Sequence, residues 1–271
     1  MELEAFRKDA AVHLEQIREK KPLIHNITNY VVMNYTAMAL LAVGASPIMA
    51  HSHEEVEELT SLAGALVLNI GTLTPYWVDS MIKAGKKANE MDIPVILDPV
   101  GSGATRLRTD SAKRILNEVK IRVVRGNASE VLSLAEKGSQ TKGVDSIHSV
   151  DEAAEAGKIL AKELNTVLSI TGKIDLITDG RYALRVSNGH PMMSAVTGTG
   201  CAATAVIAAF LAVNKDPLAA AGEGLAFFGL AGEKASKEAS APGTFQSKLL
   251  DFLYLVGSRE FEQGVRVMLD G

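Results

Sequence analysis

Hydrophobic residues along the chain follow two spacings: short apolar runs and longer segments with helical periodicity. The first segment of helical spacing predicts an amphipathic helix that ends before Pro22. Its apolar residues recur every three or four positions: Leu3, Phe6, Ala10, Leu14 and Ile17. Seven short apolar runs come after it, at residues 23–27, 47–49, 65–69, 95–97, 122–124, 167–170 and 176–178. Most of these runs lead into a helical segment, an alternation that predicts βα units on a largely parallel sheet.

Turn and capping signals refine this pattern. Residues 176–178 and 183–186 flank Asp179-Gly180, which predicts a hairpin and antiparallel strands at one edge of the sheet. Thr74-Pro75 predicts a helix over residues 76–91, and Asp216-Pro217 predicts a long Ala-rich helix. The last 75 residues are expected to be almost wholly helical, and the polar stretch 138–149 is expected to be a loop.

The composition is that of a globular protein, and it excludes several classes of function. The 271 residues are 47% hydrophobic and 22% charged, and we expect residues 1–271 to form a single domain. The net charge is −4 and no stripe of Lys and Arg is present, so nucleic acid is not an expected partner. A single cysteine cannot form an internal disulfide, which fits a cytoplasmic protein. The apolar tract 202–213 is shorter than the roughly 18–20 residues of a membrane span, and the acidic start does not resemble a signal peptide.

The sequence Gly198-Thr199-Gly200-Cys201 precedes a 12-residue apolar helix. Glycines allow a ligand to approach the backbone, and the free N–H groups of a first helical turn bind anions such as a phosphoryl group. A flexible turn before a core helix gives the same pattern. Cys201 is then either a small buried hydrophobic residue or a functional thiol, whose pKa a helix N-terminus is expected to lower.

Acidic residues follow two of the predicted strands. Asp98 comes directly after the run 95–97, where open α/β sheets bind ligands, although aspartate is also common in turns. Glu130 follows Arg125-Gly126-Asn127, where Asn127 and Glu130 also form an ordinary capping box.

Uncharged polar residues are concentrated in the run 25–34 after the first strand. This run holds one His, three Asn and a Thr, a composition suited to a small neutral heterocycle or alcohol, or to turns and helix caps. His51 and His53 are two residues apart and precede several acids. Residues at that spacing do not share a helix face, so a solvated helix start is favoured over a metal pair.

Taken together, these motifs resemble the ribokinase-like superfamily of small-molecule kinases and, over essentially the whole chain, the hydroxyethylthiazole kinase family. The motifs that carry the resemblance are His25-Asn26-Ile27-Thr28-Asn29-Tyr30-Val31, Leu97-Asp98-Pro99-Val100-Gly101, Arg125-Gly126-Asn127-x-x-Glu130 and Gly198-Thr199-Gly200-Cys201. The resemblance implies a three-layer α/β/α sandwich with a mostly parallel central sheet and an antiparallel edge. It implies ATP-dependent phosphorylation of the primary alcohol of 4-methyl-5-(2-hydroxyethyl)thiazole in thiamine salvage.

The same resemblance implies roles for individual residues. ATP would contact Arg125 and Thr171, and Mg²⁺ would be organised near Asp98 and Glu130, mostly through water. The thiazole would lie near Asn26, Met49 and Gly198, and an anion hole would be built from Gly198, Thr199 and Gly200. The family forms homotrimers with sites between subunits.

Cys201 stands where most ribokinase-like sugar kinases carry an aspartate base. A loose phosphoryl-transfer transition state depends more on alignment and charge stabilisation than on full deprotonation, so a thiol with a modestly lowered pKa is expected to suffice. Three alternatives stay open: a hydroxymethylpyrimidine kinase, a nucleotide-dependent hydrate dehydratase, and a Cys201–His hydrolase, which requires a nearby histidine.

Overall fold

Nine strands form one sheet at the centre of the structure, a computed structural model that describes residues 2–135 and 150–270. In chain order the strands are β1 Leu23–Ile27, β2 Ser46–Ile48, β3 Ala65–Asn69, β4 Val95–Asp98, β5 Val123–Asn127, β6 Val167–Thr171, β7 Asp175–Thr178, β8 Ala183–Val186 and β9 Val267–Asp270. Across the sheet their order is β2-β1-β3-β4-β5-β6-β7-β8-β9. Pairing is parallel from β2 to β6 and antiparallel from β6 to β9. The largely parallel sheet with an antiparallel edge is as predicted.

Helices cover both faces of this sheet. In the described part of the chain they are α1 Leu3–Lys20, α2 Met33–Val43, α3 Val56–Ser61, α4 Pro75–Glu90, α5 Arg106–Glu118, α6 Ala128–Leu132, α7 Val150–Leu164, α8 Thr199–Leu211, α9 Pro217–Glu238, α10 Pro242–Leu255 and α11 Ser258–Gly264, with a 3₁₀ turn at Pro191–Ala195. One hydrophobic core joins the sheet to α1, α2 and α8 to α11, and a second joins its other face to α3 to α7. The result is the predicted three-layer sandwich.

Local signals in the sequence place several element boundaries correctly. The Thr74 hydroxyl accepts a hydrogen bond from the Trp77 N–H (3.3 Å) at the start of α4, and the Asp216 carboxylate accepts one from the Leu218 N–H (2.9 Å) at the start of α9. The predicted hairpin is formed by β7 and β8. The predicted loop 138–149 lies outside the described residues.

The expectation of an almost wholly helical last segment is wrong at its end. Val267–Asp270 forms β9, which pairs antiparallel with β8 at the sheet edge. Val267 is buried against the core, whereas Met268 and Leu269 are exposed at the sheet edge. Four residues are too few to separate a strand from a helix by periodicity.

The helix α8 packs against the parallel strands β1, β3 and β4 and is almost completely buried. All its residues except Gly200 and Cys201 are buried. Among residues 2–135 and 150–270, no helix combines the length and apolar character needed to span a membrane.

Candidate active site

Polar side chains at the ends of the central parallel strands face the first turn of α8. Val67 and Ile96 belong to the core on the α8 side of the sheet. Side chains alternate along a strand, so Asn69 and Asp98, two residues further along, face the same side. These two residues are register partners on β3 and β4, and Arg125 on β5 follows the same alternation.

The Asp98 carboxylate is at the centre of this group and is almost completely buried. Its Oδ2 accepts hydrogen bonds from the Asn69 amide (2.9 Å) and the Thr204 hydroxyl (2.8 Å), and lies 3.9 Å from the Arg125 guanidinium. Its Oδ1 has no hydrogen-bond partner in the described part of the chain. Burial raises the pKa of Asp98 to about 6, against the lowering effects of Arg125 and Thr204.

Cys201 lies in the first turn of α8 and is joined to Asp98 through two asparagines. The Asn29 amide nitrogen is 3.6 Å from the Cys201 sulfur and donates a 2.8 Å hydrogen bond to the Asn69 Oδ1. Burial, with a further contribution from the Asp98 charge, raises the pKa of the thiol to about 12. The expected lowered pKa is therefore wrong, because loss of solvent outweighs the helix N-terminus.

The start of α8 depends on its two glycines. Gly198 has a φ of +87°, and a Cβ there would lie 2.5 Å from the Val32 side chain. A Cβ at Gly200 would lie 2.6 Å from a guanidinium nitrogen of Arg125. The Thr199 hydroxyl donates to the Met193 carbonyl (2.7 Å), so this side chain is committed to the preceding turn. What the helix start offers a ligand is its backbone N–H groups.

Arg125 links the helix start to the end of β6. Its guanidinium donates a 2.8 Å hydrogen bond to the Thr171 hydroxyl, and its Nε is buried without a partner among the described residues. Arg125 therefore lies between Thr171, Gly200 and Asp98 with donor capacity left for an anion.

Glu130 forms the predicted capping box and also holds a second loop. Its Oε2 accepts from the Asn127 N–H (2.9 Å), and its Oε1 accepts from the Gly101 N–H (2.8 Å) in the loop after β4. The Glu130 charge helps to raise the pKa of Asp98, as expected for two neighbouring carboxylates. Within residues 2–135 and 150–270, no group of three or more His, Cys, Asp or Glu side chains has the arrangement of a metal site.

Asn26 and Met49 lie toward the other edge of the sheet. Asn26 on β1 is buried, and its Oδ1 has no partner in the part of the chain described. Met49 directly follows the edge strand β2 and is half-buried. Strand β1 separates β2 from β3, which carries Asn69.

His51 and His53 precede α3 and pack on the start of α4. The His51 ring is 4.4 Å from the Trp77 ring, and the His53 ring is 4.3 Å from the Tyr76 ring. The expected helix start follows them, since α3 begins at Val56 and the acids 54, 55, 57 and 58 are exposed, while the two rings also bury surface against neighbouring aromatic side chains.

Three residues of this site were not among the predicted site residues: Asn29, Asn69 and Thr204. Asn69 has the same signal as Asp98, a polar residue at the end of a wholly buried strand. Asn29 lies in the polar run 25–34, but nothing local marks it as the neighbour of Cys201. Thr204 is one turn after Gly200 on an apolar helix, where a hydroxyl requires a buried partner.

The fold is that of ribokinase-like kinases. A ribokinase-like superfamily protein from Enterococcus faecalis matches 92% of this chain and 95% of its own with a TM-score of 0.65, at 13% sequence identity. The ribokinase-like fold predicted from the motifs is confirmed.

Closer similarities identify the family. The model of the hydroxyethylthiazole kinase family matches residues 14–259. A hydroxyethylthiazole kinase from Desulfotalea psychrophila is 60% identical over 95% of this chain and 94% of its own. The structure of a hydroxyethylthiazole kinase from Pyrococcus horikoshii is 44% identical, with a TM-score of 0.90 over 97% of this chain and all of that one. The chain belongs to the hydroxyethylthiazole kinase family and is an enzyme, as its motifs predict.

Proposed function

We propose that this enzyme transfers the γ-phosphoryl group of ATP to the primary alcohol of 4-methyl-5-(2-hydroxyethyl)thiazole, a step of thiamine salvage. The observation that carries the proposal is the meeting of Asp98, Arg125 and the glycine-started helix α8 at one end of the sheet. Charge stabilisation and alignment are the main requirements of phosphoryl transfer, and this arrangement supplies both.

The backbone of Gly198, Thr199 and Gly200 forms the anion hole. The N–H groups of the first turn of α8 have no acceptor within the helix, although that of Thr199 makes a long 3.4 Å hydrogen bond to the Val196 carbonyl before it. They stabilise the negative charge on the transferred group, together with the helix dipole.

Arg125 and Thr171 bind ATP. The hydrogen bond between them holds the guanidinium in place, and the unpartnered Arg125 Nε leaves a donor for a phosphate oxygen. A guanidinium that is fixed before ATP arrives loses less side-chain entropy on binding.

Asp98 and Glu130 hold Mg²⁺, mostly through water. The free Oδ1 of Asp98 fits a hard cation, while both Glu130 oxygens already accept backbone N–H groups and reach the ion through bridging water. When bound, the cation neutralises charge on the phosphates of ATP.

Cys201 and Gly198 act on the acceptor alcohol. With a pKa of about 12 the thiol is protonated at neutral pH, so it orients the hydroxyl group and does not act as a preformed thiolate base. The Cys201–His hydrolase requires a thiolate and a histidine, whereas the groups that act on this thiol are Asn29, Asn69, Asp98 and Arg125.

Asn26 and Met49 complete the thiazole pocket in a homotrimer with sites between subunits. The proposal rests on the family resemblance and on the apolar face of α2 and α10, where Met38, Leu41, Tyr254 and Leu255 are exposed.

Light scattering is expected to give about three times the 28.8 kDa mass of one chain. Leu41→Glu should lower that mass. Leu62→Glu is the control and should not lower it, because Leu62 has a similar exposure but lies directly after α3, away from this face. A monomer at micromolar concentration would contradict the trimer.

We further propose that residues 1–271 act as one kinase domain in the cytoplasm. All the strands described join one sheet, and the single free cysteine and the use of ATP suit a reducing compartment.

A panel of acceptors tests the proposed reaction. Thiazole alcohol, hydroxymethylpyrimidine, pyridoxal and ribose are each incubated with ATP and Mg²⁺, and ADP release is followed beside a reaction without acceptor. The thiazole alcohol should give the highest kcat/KM and a phosphate ester visible by phosphorus NMR. Preference for the pyrimidine would favour a hydroxymethylpyrimidine kinase, and nucleotide hydrolysis without an ester would favour the hydrate dehydratase.

A further inference from the structure

A guanidinium outside the pocket joins two loops that carry the reactive side chains. Arg108 lies on α5 and donates hydrogen bonds to the carbonyl oxygens of Ile70 (3.1 Å), Val100 (2.7 Å) and Gly71 (2.7 Å). Ile70 and Gly71 directly follow β3, and Val100 belongs to the loop after β4. The five N–H donors of arginine form a rigid planar fork, so one side chain can fix several carbonyls at once.

Each loop leads directly to one half of the site. The Gly71 N–H donates a 3.0 Å hydrogen bond to the Asn69 Oδ1, the atom that also accepts from Asn29. The Asn29 amide in turn contacts Cys201. On the other side, Gly101 follows Val100 and donates its N–H to Glu130.

We propose that Arg108 is a positioning residue for phosphoryl transfer. It holds the loop after β3, on which the contacts between Asn69, Asn29 and Cys201 depend, in a fixed place beside the loop after β4, which reaches Glu130. It touches neither the acceptor nor the nucleotide site formed by Arg125 and Thr171. Its loss should impair turnover and the position of the Cys201 thiol. ATP binding should stay nearly unchanged, because Glu130 is also held by the Asn127 N–H, which Arg108 does not touch. The catalytic part rests on the proposed kinase reaction.

The chain contains a matched control for this inference. Arg18 also donates from one guanidinium to three carbonyls, those of Leu253, Tyr254 and Val256 at the end of α10. Arg18→Gln removes the same kind of clamp without touching the loops after β3 and β4. Arg106→Gln is a second control on α5 itself, since Arg106 is almost fully exposed and pairs only with Asp110 in the contacts described.

The test compares Arg108→Gln and Arg108→Lys with both controls in steady-state kinetics and in thiol labelling. Cys201 is the only cysteine of the 271 residues, so the rate of reaction with a disulfide reagent reports on this site alone. Arg108→Gln is expected to lower kcat by about 10-fold to 100-fold, the scale of a small misplacement of reacting groups. The KM for ATP should stay within about 2-fold, and labelling of Cys201 should become several-fold faster because Asn29 and Asn69 no longer hold it.

Arg108→Lys keeps the charge but not the planar fork, so its kcat and labelling rate should lie between those of wild type and Arg108→Gln. If Arg108→Gln does not fold, Arg108→Lys serves as the test. Arg106→Gln should keep the wild-type kcat and labelling rate, and Arg18→Gln, whose partner Tyr254 lies on the proposed subunit interface, should keep the wild-type labelling rate. The inference is overturned if the Arg108 variants keep both kcat and labelling rate within about 2-fold of wild type, or if either control changes the labelling rate to the same extent. If the wild-type enzyme does not phosphorylate the thiazole alcohol, the proposed function fails, and the labelling rates still decide whether Arg108 positions Cys201.

Discussion

The Asn29 amide nitrogen lies 3.6 Å from the Cys201 sulfur, so the loop after β1 is joined to the first turn of α8. The same nitrogen donates to Asn69, which donates to Asp98. A neutral thiol, two amides and one carboxylate therefore form a continuous polar contact across three strand ends. Because asparagine amides do not ionise near neutral pH, this contact orients groups and does not carry a proton from Cys201 to Asp98.

Replacing Cys201 by alanine should lower kcat and leave the KM for ATP nearly unchanged. General-base or orienting help contributes up to ~10²–10⁴-fold, and we expect the low end because the thiol is protonated at neutral pH. Steady-state kinetics with varied ATP and varied acceptor check this. Full turnover in Cys201→Ala would make the cysteine a packing residue.

Cys201→Asp should remain active. A carboxylate at a helix N-terminus is electrostatically favourable, and aspartate is the base that the resemblance assigns to related sugar kinases. Burial beside Asp98 opposes this charge, so the pH profile of the variant should be measured with its kcat. An inactive but folded Cys201→Asp would show that the thiol does something that a carboxylate cannot do.

Gly198→Val should damage both turnover and ATP binding. The backbone at 198 has a positive φ, and a Cβ there would come within 2.5 Å of Val32, so the start of α8 must move. The proposed anion hole depends on that geometry, and removing one oxyanion donor costs on the order of 10²–10³-fold in kcat. Ala195→Val, in the exposed end of the preceding 3₁₀ turn, is the control and should keep activity. A Gly198→Val enzyme with normal kinetics would exclude this helix start from the site.

Asp98→Ala and Glu130→Ala should each raise the Mg²⁺ concentration required for half-maximal rate. Each variant removes a carboxylate from the place where we expect the cation and the phosphates to meet. Asp216→Ala is the control, because it removes a carboxylate that caps a helix, α9, beyond the C-terminal end of α8. It should cost about 0.5–2 kcal/mol of stability without changing the Mg²⁺ requirement. Unchanged Mg²⁺ dependence in both acid variants would leave Asp98 as a buried acceptor for Asn69 and Thr204, and Glu130 as a helix cap.

The rate should fall as the pH falls through about 6, because burial raises the pKa of Asp98 to about that value. Below that pH the protonated carboxyl group no longer attracts a cation. Mg²⁺ binds the carboxylate form, so a higher Mg²⁺ concentration should move this acidic limb to lower pH. Rates between pH 5 and 9 at two Mg²⁺ concentrations measure the shift. If the acidic limb does not move with Mg²⁺ concentration, it reports the titration of a group other than Asp98.

The parts of this structure that the sequence predicts are those with local signals. The capping box of Asn127 and Glu130 is contained in four residues, and its hydrogen bonds form as predicted. The Thr204 hydroxyl instead reaches a carboxylate 106 residues away, and β9 forms only because β8 offers it an edge. The raised pKa of Cys201 depends on burial by the assembled fold, and the residues next to it in the sequence do not indicate that burial.

The burial of α8 has a consequence for how such an enzyme can change its substrate over evolutionary time. Apart from Gly200 and Cys201, the helix is enclosed by the core, so its first turn cannot shift without repacking α9 and the sheet. The half-buried segment after β2 and the exposed Tyr30 and Val31 after β1 carry no such restriction. If the proposed function holds, new acceptors can therefore arise by substitution in these loops, while the helix start that we propose to bind phosphate is inherited unchanged.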